Sequence, residues 1–213
     1  MYRLHYYPAN ANAAPHMLLE EIGAPHELAL VDRTVEAQKS QAYLRINPNG
    51  RIPALEDDGL VLFEAAAIVL HLVDRHPEAG LAPAQGTPER SKFYQWLVFL
   101  TNSLQEELMV FQYPERLAGG DGSAEAVIRN GAEQRATAFL DIIETHLAGN
   151  GPFFLGDAVG AADLYFAMLA RWARPLAKPP RSRPAIARLL DAVTARPAVR
   201  RAYAAEGICE PIC

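Results

Sequence analysis

Cysteine is almost missing from this chain. There are two, Cys209 and Cys213, and both lie at the extreme end of the sequence. That excludes a disulfide framework and makes a reducing cytosol the expected compartment. Neither thiol has identifiable partner ligands nearby in sequence, so no metal is expected. A long apolar run is also missing. Nothing approaches the ~18 residues that cross a bilayer, so no membrane role is expected. Charge of one sign is missing as well. Lys and Arg number 20 against 25 Asp and Glu, a net charge of −5, which leaves no electrostatic footprint for nucleic acid. The first residues, Met1 to Tyr7, lack the basic and apolar regions and the cleavage site of a secretory signal and read as a strand.

What is present is ample apolar material. Half of the 213 residues are hydrophobic, enough for one large or two small domains. Residues 1–76 alternate strand and helix signals. Tyr2–Tyr6 reads as strand and Ala14–Ile22 as helix, with Pro15 tolerated in a first turn and Gly23 as the stop. His26–Val31 reads as strand. Val35–Ile46 is a helix by a sparser pattern. Leu60 to Phe63 follows the Asp57-Asp58-Gly59 turn as a hairpin strand, and a helix runs from Glu64 to about His76 on a stripe of Ile68, Val69, Leu72 and Val73.

Residues 77–88 hold prolines and glycines at the density of a linker. From 89 to 213 the periodicity is helical throughout. One stripe is Phe93, Trp96, Leu97, Leu100, Leu104, Leu108 and Phe111. A second is Ile128, Ala132, Ala136, Phe139, Leu140, Ile143 and Leu147. Shorter stripes follow at Leu164, Met168, Leu169 and Trp172 and at Ile186, Leu189, Leu190 and Val193.

The most informative stretch is Asn47-Pro48-Asn49-Gly50-Arg51-Ile52-Pro53-Ala54-Leu55, followed after eight residues by Phe63-Glu64-Ala65. Pro-Asn-Gly is turn chemistry, and a proline at the head of a strand has no N–H to give to a ladder. In order and spacing these features resemble the glutathione-binding half of the soluble glutathione transferases. The resemblance implies a thioredoxin-like βαβαββα domain over 1–76, an all-α domain over 89–213 and a homodimer. It also implies a cis Ile52–Pro53 bond, with Ile52 clamping the cysteinyl backbone of glutathione by its own N–H and C=O. Glu64 and the Ala65 N–H would hold the γ-glutamyl end, and Arg51 is a candidate for the glycine carboxylate. Gly156 to Leu164 resembles the capping box and staple of the family's buried C-terminal helix, with Gly160 where Ser or Thr is usual and Asp163 at the N3 position.

The loop after the first strand ends in Ala14-Pro15-His16, followed by Met17-Leu18-Leu19. This is similar to the bacterial beta class. The beta-class cysteine and serine are replaced by Ala11 and Asn12, so chemistry that starts from a protein thiolate is excluded there. Conjugation needs only a donor to the glutathione thiolate. The candidates are Asn12, which sits just before the helix, and Tyr6 or Tyr7, since other classes use a tyrosine at the end of the first strand. Asn10 and Asn12 can equally make only local turn bonds. His16 matches a beta-class histidine, and a structural role suits its place at a helix start. Thr101, Asn102 and Gln105 are polar positions on an otherwise apolar helix and candidates for a second-substrate cleft.

The function implied by the resemblance is conjugation of glutathione to a small hydrophobic electrophile. Two alternatives stay open. One is a glutathione-dependent disulfide reductase like the nu class, whose loop uses a threonine and an asparagine. The other is a non-catalytic binding or regulatory protein that keeps the fold.

Overall fold

The computed structural model describes residues 1–209, so Cys213 lies outside the described residues, and Cys209 is exposed and free. The chain divides into two compact units. Among the described residues, one comprises Met1–Ala82 together with residues 193–209, and the other is Pro83–Ala192.

The first unit is built on a four-stranded sheet in the order β2-β1-β3-β4. Strand β1 (Tyr2–Tyr6) runs parallel to β2 (His26–Leu30), and β3 (Ala54–Asp57) is antiparallel to both β1 and β4 (Leu60–Phe63). The β3–β4 connection is a two-residue turn with Asp58 at φ 45° and Gly59 at φ 90°, the left-handed pair that matches strand twist. Helix α1 (Ala13–Ile22) makes the β1–β2 crossover. Residues Ala13 to Leu19 are buried without interruption, because α1 packs against both α3 (Ala65–Arg75) and α10 (Pro197–Ala205). A helix covered on two sides has no room for a polar face. Gly23 ends it at φ 72°, returning its N–H to the Leu19 carbonyl at 3.0 Å. In α3 the expected stripe of Ile68, Val69, Leu72 and Val73 is buried.

The helix expected over 35–46 is corrected. The structure has two single 3₁₀ turns, Arg33–Val35 and Ala37–Lys39, and a four-residue helix α2 (Gln41–Leu44). The apolar residues there are too few to bury one face: Val35 is exposed and only Tyr43 is inside. Local caps take over instead. Asp32 accepts from the Thr34 N–H, Glu36 turns the chain at φ 53°, and Ser40 accepts from the Tyr43 N–H.

The second unit is helical. Helix α4 (Pro88–Phe99) continues through a π-helical segment, Leu100–Gln105, into α5 (Glu106–Gln112). A short α6 (Glu115–Ala118) precedes the long α7 (Gly122–Asn150), whose Ala132, Ala136, Leu140, Ile143 and Leu147 are buried. Helix α8 (Ala161–Trp172) is enclosed from Ala161 to Ala170, and α9 (Pro184–Thr194) follows. The α8 start is held by Asp163, which accepts from the Gly160 N–H at 2.8 Å and the Phe154 N–H at 3.0 Å. Burial pushes the Asp163 carboxyl up to about 7, opposed by these two bonds. Among the described residues no helix is long and apolar enough to cross a membrane.

Candidate functional site

Sheet register brings three segments to one end of the first unit. His5 pairs with Ala54, and Ala54 pairs with Phe63. The chain leaving β1 at Tyr6, the chain entering β3 at Pro53 and the chain leaving β4 at Glu64 therefore meet there.

The β1–α1 loop is fastened from below by a carboxylate. Glu206, at the end of α10, is 5% exposed. Its Oε2 accepts from the Ala9 N–H at 3.1 Å, and its Oε1 accepts from Asn12 Nδ2 and His16 Nδ1, each at 2.8 Å. Asn12 Oδ1 accepts from the Tyr7 N–H at 3.2 Å. This fixes the amide's orientation, since a carboxylate needs a donor and an N–H needs an acceptor. Asn12 has no exposed surface at all. Its Oδ1 and one of its two Nδ2 hydrogens are thus engaged, by the Tyr7 N–H and by Glu206. The candidate thiol donor Asn12 is therefore a buried side chain hydrogen-bonded to Glu206.

The rest of the loop is half-buried. Tyr6, Tyr7, Asn10 and Ala11 all retain accessible surface. Ala9 holds φ 61°, a left-handed conformation uncommon outside glycine. Arg33 donates from Nη1 to Asn10 Oδ1 at 3.2 Å, and its guanidinium lies 5.8 Å from the centre of the Tyr7 ring. Asn10 Nδ2 returns to the Pro8 carbonyl at 3.3 Å, a local turn bond of the kind weighed from sequence.

At the head of β3 the Ile52–Pro53 bond is cis. The ladder begins at Ala54, which leaves the Ile52 backbone outside it. The preceding carbonyl, that of Arg51, accepts from Asn47 Nδ2 at 2.7 Å and from the Tyr43 hydroxyl at 2.8 Å. Burial pushes the Tyr43 phenol up to about 12, so this donor keeps its proton. Gly50 is required where it stands: at φ 61° a Cβ would sit 3.0 Å from the Gln38 carbonyl oxygen. The Arg51 side chain is exposed.

Glu64 precedes α3 at φ 72° and ψ 115°, and its side chain makes no capping bond. A non-glycine residue held there is strained by about 1 to 3 kcal/mol, and such strain concentrates at ligand sites. Its side chain is exposed, while Ala65 is buried at the helix start. The site end of the sheet thus offers a free carboxylate, a helix N-terminus and an unpaired main-chain segment. Together these suit a zwitterionic peptide-like ligand.

Thr101, Asn102 and Gln105 all lie on the π-helical segment of the second unit. Such segments recur at functional sites because they widen a helix locally. Thr101 donates to the Val98 carbonyl at 3.0 Å and lies 3.1 Å from Asn102 Oδ1. Gln105 Oε1 accepts from the buried Tyr165 hydroxyl at 2.6 Å, so its carbonyl end is already used.

Sequence reasoning missed Glu206, Tyr43, Asn47 and Arg33. Asn47 had a signal in its Asn-Pro-Asn-Gly turn, where its Oδ1 accepts from the Asn49 N–H. Glu206 had none: one acid after an amphipathic helix looks like any other.

Comparison with known proteins identifies the family. The model for the glutathione S-transferase N-terminal domain matches residues 2–74, and that for the C-terminal domain matches 116–205. Glutathione S-transferase 3 of Zea mays is 34% identical over 195 residues, covering 88% of this chain and 86% of the relative. Among solved structures, a ternary complex of BphK, a bacterial transferase, is 31% identical with a TM-score of 0.85, covering 97% of this chain and 100% of that one. A sphingomonad glutathione S-transferase complexed with glutathione is 29% identical with a TM-score of 0.83, covering 97% and 100%. The chain belongs to the glutathione S-transferase family and is a glutathione transferase.

Proposed function

We propose that this transferase conjugates the thiolate of glutathione to a small hydrophobic electrophile, and that it stands nearest the bacterial beta class within its family. The observation that carries the reading is Glu64, an exposed carboxylate on strained backbone beside the α3 N-terminus, at the sheet end where the Ile52 backbone is unpaired. In this reading the Ile52 N–H and C=O bind the cysteinyl backbone. Glu64 takes the γ-glutamyl ammonium, the Ala65 N–H takes its carboxylate, and Arg51 faces the glycine carboxylate.

The thiolate needs one donor. Asn12 acts in this reading as a positioning residue, holding the loop through Tyr7 and Glu206. The Tyr7 hydroxyl is the first candidate for the donor, because Tyr7 is half-buried and its backbone is anchored by Asn12. Tyr6 and the half-buried Ala11 N–H come next. Without a thiol in the loop, the enzyme forms no mixed disulfide of its own there. The electrophile would lie near the π-helical segment carrying Thr101, Asn102 and Gln105. A homodimer in the cytosol completes the reading, and light scattering reads the mass. Side-by-side assays of aryl-halide conjugation and disulfide reduction test the reaction. Conjugation should dominate, and dominant disulfide reduction would put a nu-type reaction in its place.

A further inference from the structure

One cluster in the first unit touches the proposed glutathione site only through the bond from His16 to Glu206. His16 and Glu20 lie one turn apart on α1, so they share a face, and His26 opens β2 across the turn that ends α1. One ligand-type atom from each of the three lies within 4.8 Å of the others. The two imidazoles meet edge to face, with ring centres 5.5 Å apart.

The hydrogen bonds around the cluster select which atoms face inward. His16 gives Nδ1 to Glu206 Oε1 at 2.8 Å, and His26 gives Nδ1 to the Ala24 carbonyl at 2.9 Å. An Nδ1–H donated to an oxygen leaves Nε2 as a lone pair. His16 Nε2 is fully enclosed and has no hydrogen-bond partner among the described residues. A buried imidazole nitrogen left without a partner is costly unless something else fills the place. The third member supplies the charge. Glu20 Oε2 accepts from Arg201 Nε at 2.6 Å, which orients the carboxylate and leaves Oε1 toward His26 Nε2 at 3.8 Å.

We propose that His16, Glu20 and His26 form a binding site for a divalent transition-metal ion of the zinc type, with His16 Nε2, His26 Nε2 and Glu20 Oε1 as ligands. Two imidazoles and a carboxylate are a donor set that Zn²⁺ takes, with solvent in the fourth position on the half-exposed side of Glu20 and His26. Ligands at ~2.0–2.2 Å around a tetrahedral ion sit roughly 3.5 Å apart. Binding would draw the Glu20 and His26 side chains inward, and both of them reach solvent. The outer shell is in place: an imidazole N–H on a carboxylate at His16, on a carbonyl at His26, and an arginine on the carboxylate. Calcium and magnesium are disfavoured because they prefer oxygen ligands. A bound ion would tie α1 to β2 beneath the loop that Glu206 fastens.

The test uses the full chain, stripped with chelator, in a background of Cys209→Ser and Cys213→Ser so that thiols cannot compete. Zn²⁺ is titrated by calorimetry, Co²⁺ by visible absorption, and melting is followed with and without Zn²⁺. The expected result is one ion per chain, tetrahedral Co²⁺ bands and a raised melting temperature. His26→Ala and Glu20→Gln should each weaken binding at least tenfold while keeping the circular dichroism spectrum of the parent. Arg201→Ala removes the partner that orients the Glu20 carboxylate and should weaken binding, by less than either ligand variant. Those two variants sit at the rim of the site, so folding survives where His16→Ala would disrupt the Glu206 bonds. No binding at millimolar metal, or binding that His26→Ala leaves unchanged, would overturn the proposal.

Discussion

Glu206 accepts a hydrogen bond from Asn12 at 2.8 Å, although 194 positions of sequence separate them. The bond is buried at both ends, and it couples the last helix of the chain to the loop that follows the first strand. Removing the Asn12 side chain takes one of two donors from Glu206 Oε1 and the acceptor from the Tyr7 N–H, which is more costly than one bond's net worth.

Asn12→Ala should therefore lower stability by about 2 to 4 kcal/mol in denaturant unfolding. Glu206→Ala should act similarly, and the double variant should show a coupling of about 1 to 3 kcal/mol. Additive effects would mean the two side chains do not meet in solution. Truncation before Glu206 should loosen the loop as the point variant does.

Tyr7→Phe should raise the pKa of the bound glutathione thiol by about one to two units, the worth of one donor to a thiolate. The readout is the pH–rate profile with glutathione affinity largely kept. Asn12→Ala should change stability more than thiol pKa. If Asn12→Ala moves the pKa while Tyr7→Phe and Tyr6→Phe leave it alone, the assignment of Asn12 to a positioning role is wrong.

The loop shows what sequence could and could not tell. Strands, the hairpin turn and the stripe on α3 were legible, because alternation, Asp-Gly and helical spacing each have a local cause. The Ile52–Pro53 and Glu64 segments were legible as a pattern. Asn12 was legible as a polar residue at a helix start, but its direction was not. That direction depends on a carboxylate near the far end of the chain, and no local signal encodes a contact of that separation. Residues 35–46 failed for the opposite reason: local caps at Asp32 and Ser40 outweighed a weak periodic pattern. The metal-type cluster was illegible as well, since His16, Glu20 and His26 span a helix, a turn and a strand.

Glu64 carries two separable effects. Glu64→Gln keeps the backbone and removes the charge, so glutathione binding should weaken several-fold with stability unchanged. Glu64→Gly removes the strain at φ 72° too, and should gain about 1 kcal/mol in stability while losing binding at least as much. Loss of stability in the glycine variant would show that the backbone there is not strained.

Asp163 gives a pH signature in the helical unit. Its folded value of about 7 lies above the ordinary 3.8, so the unfolded chain releases this proton first. The contribution to stability is full below about 4 and is lost as pH rises to about 7. Asp163→Asn should flatten the stability–pH curve across that window. It should also lower stability, because one of the two N–H bonds at the α8 start loses its acceptor. An unchanged slope would contradict the assignment.

The central claim is the glutathione site at the end of the first sheet, and a crystal structure with glutathione bound tests it most directly. The account predicts the cysteinyl backbone paired with Ile52, the γ-glutamyl group on Glu64 and the Ala65 N–H, and the sulfur facing the Tyr7–Ala11 loop with Asn12 still bound to Glu206. Glutathione seated elsewhere, or its sulfur in contact with the Asn12 side chain, would contradict it.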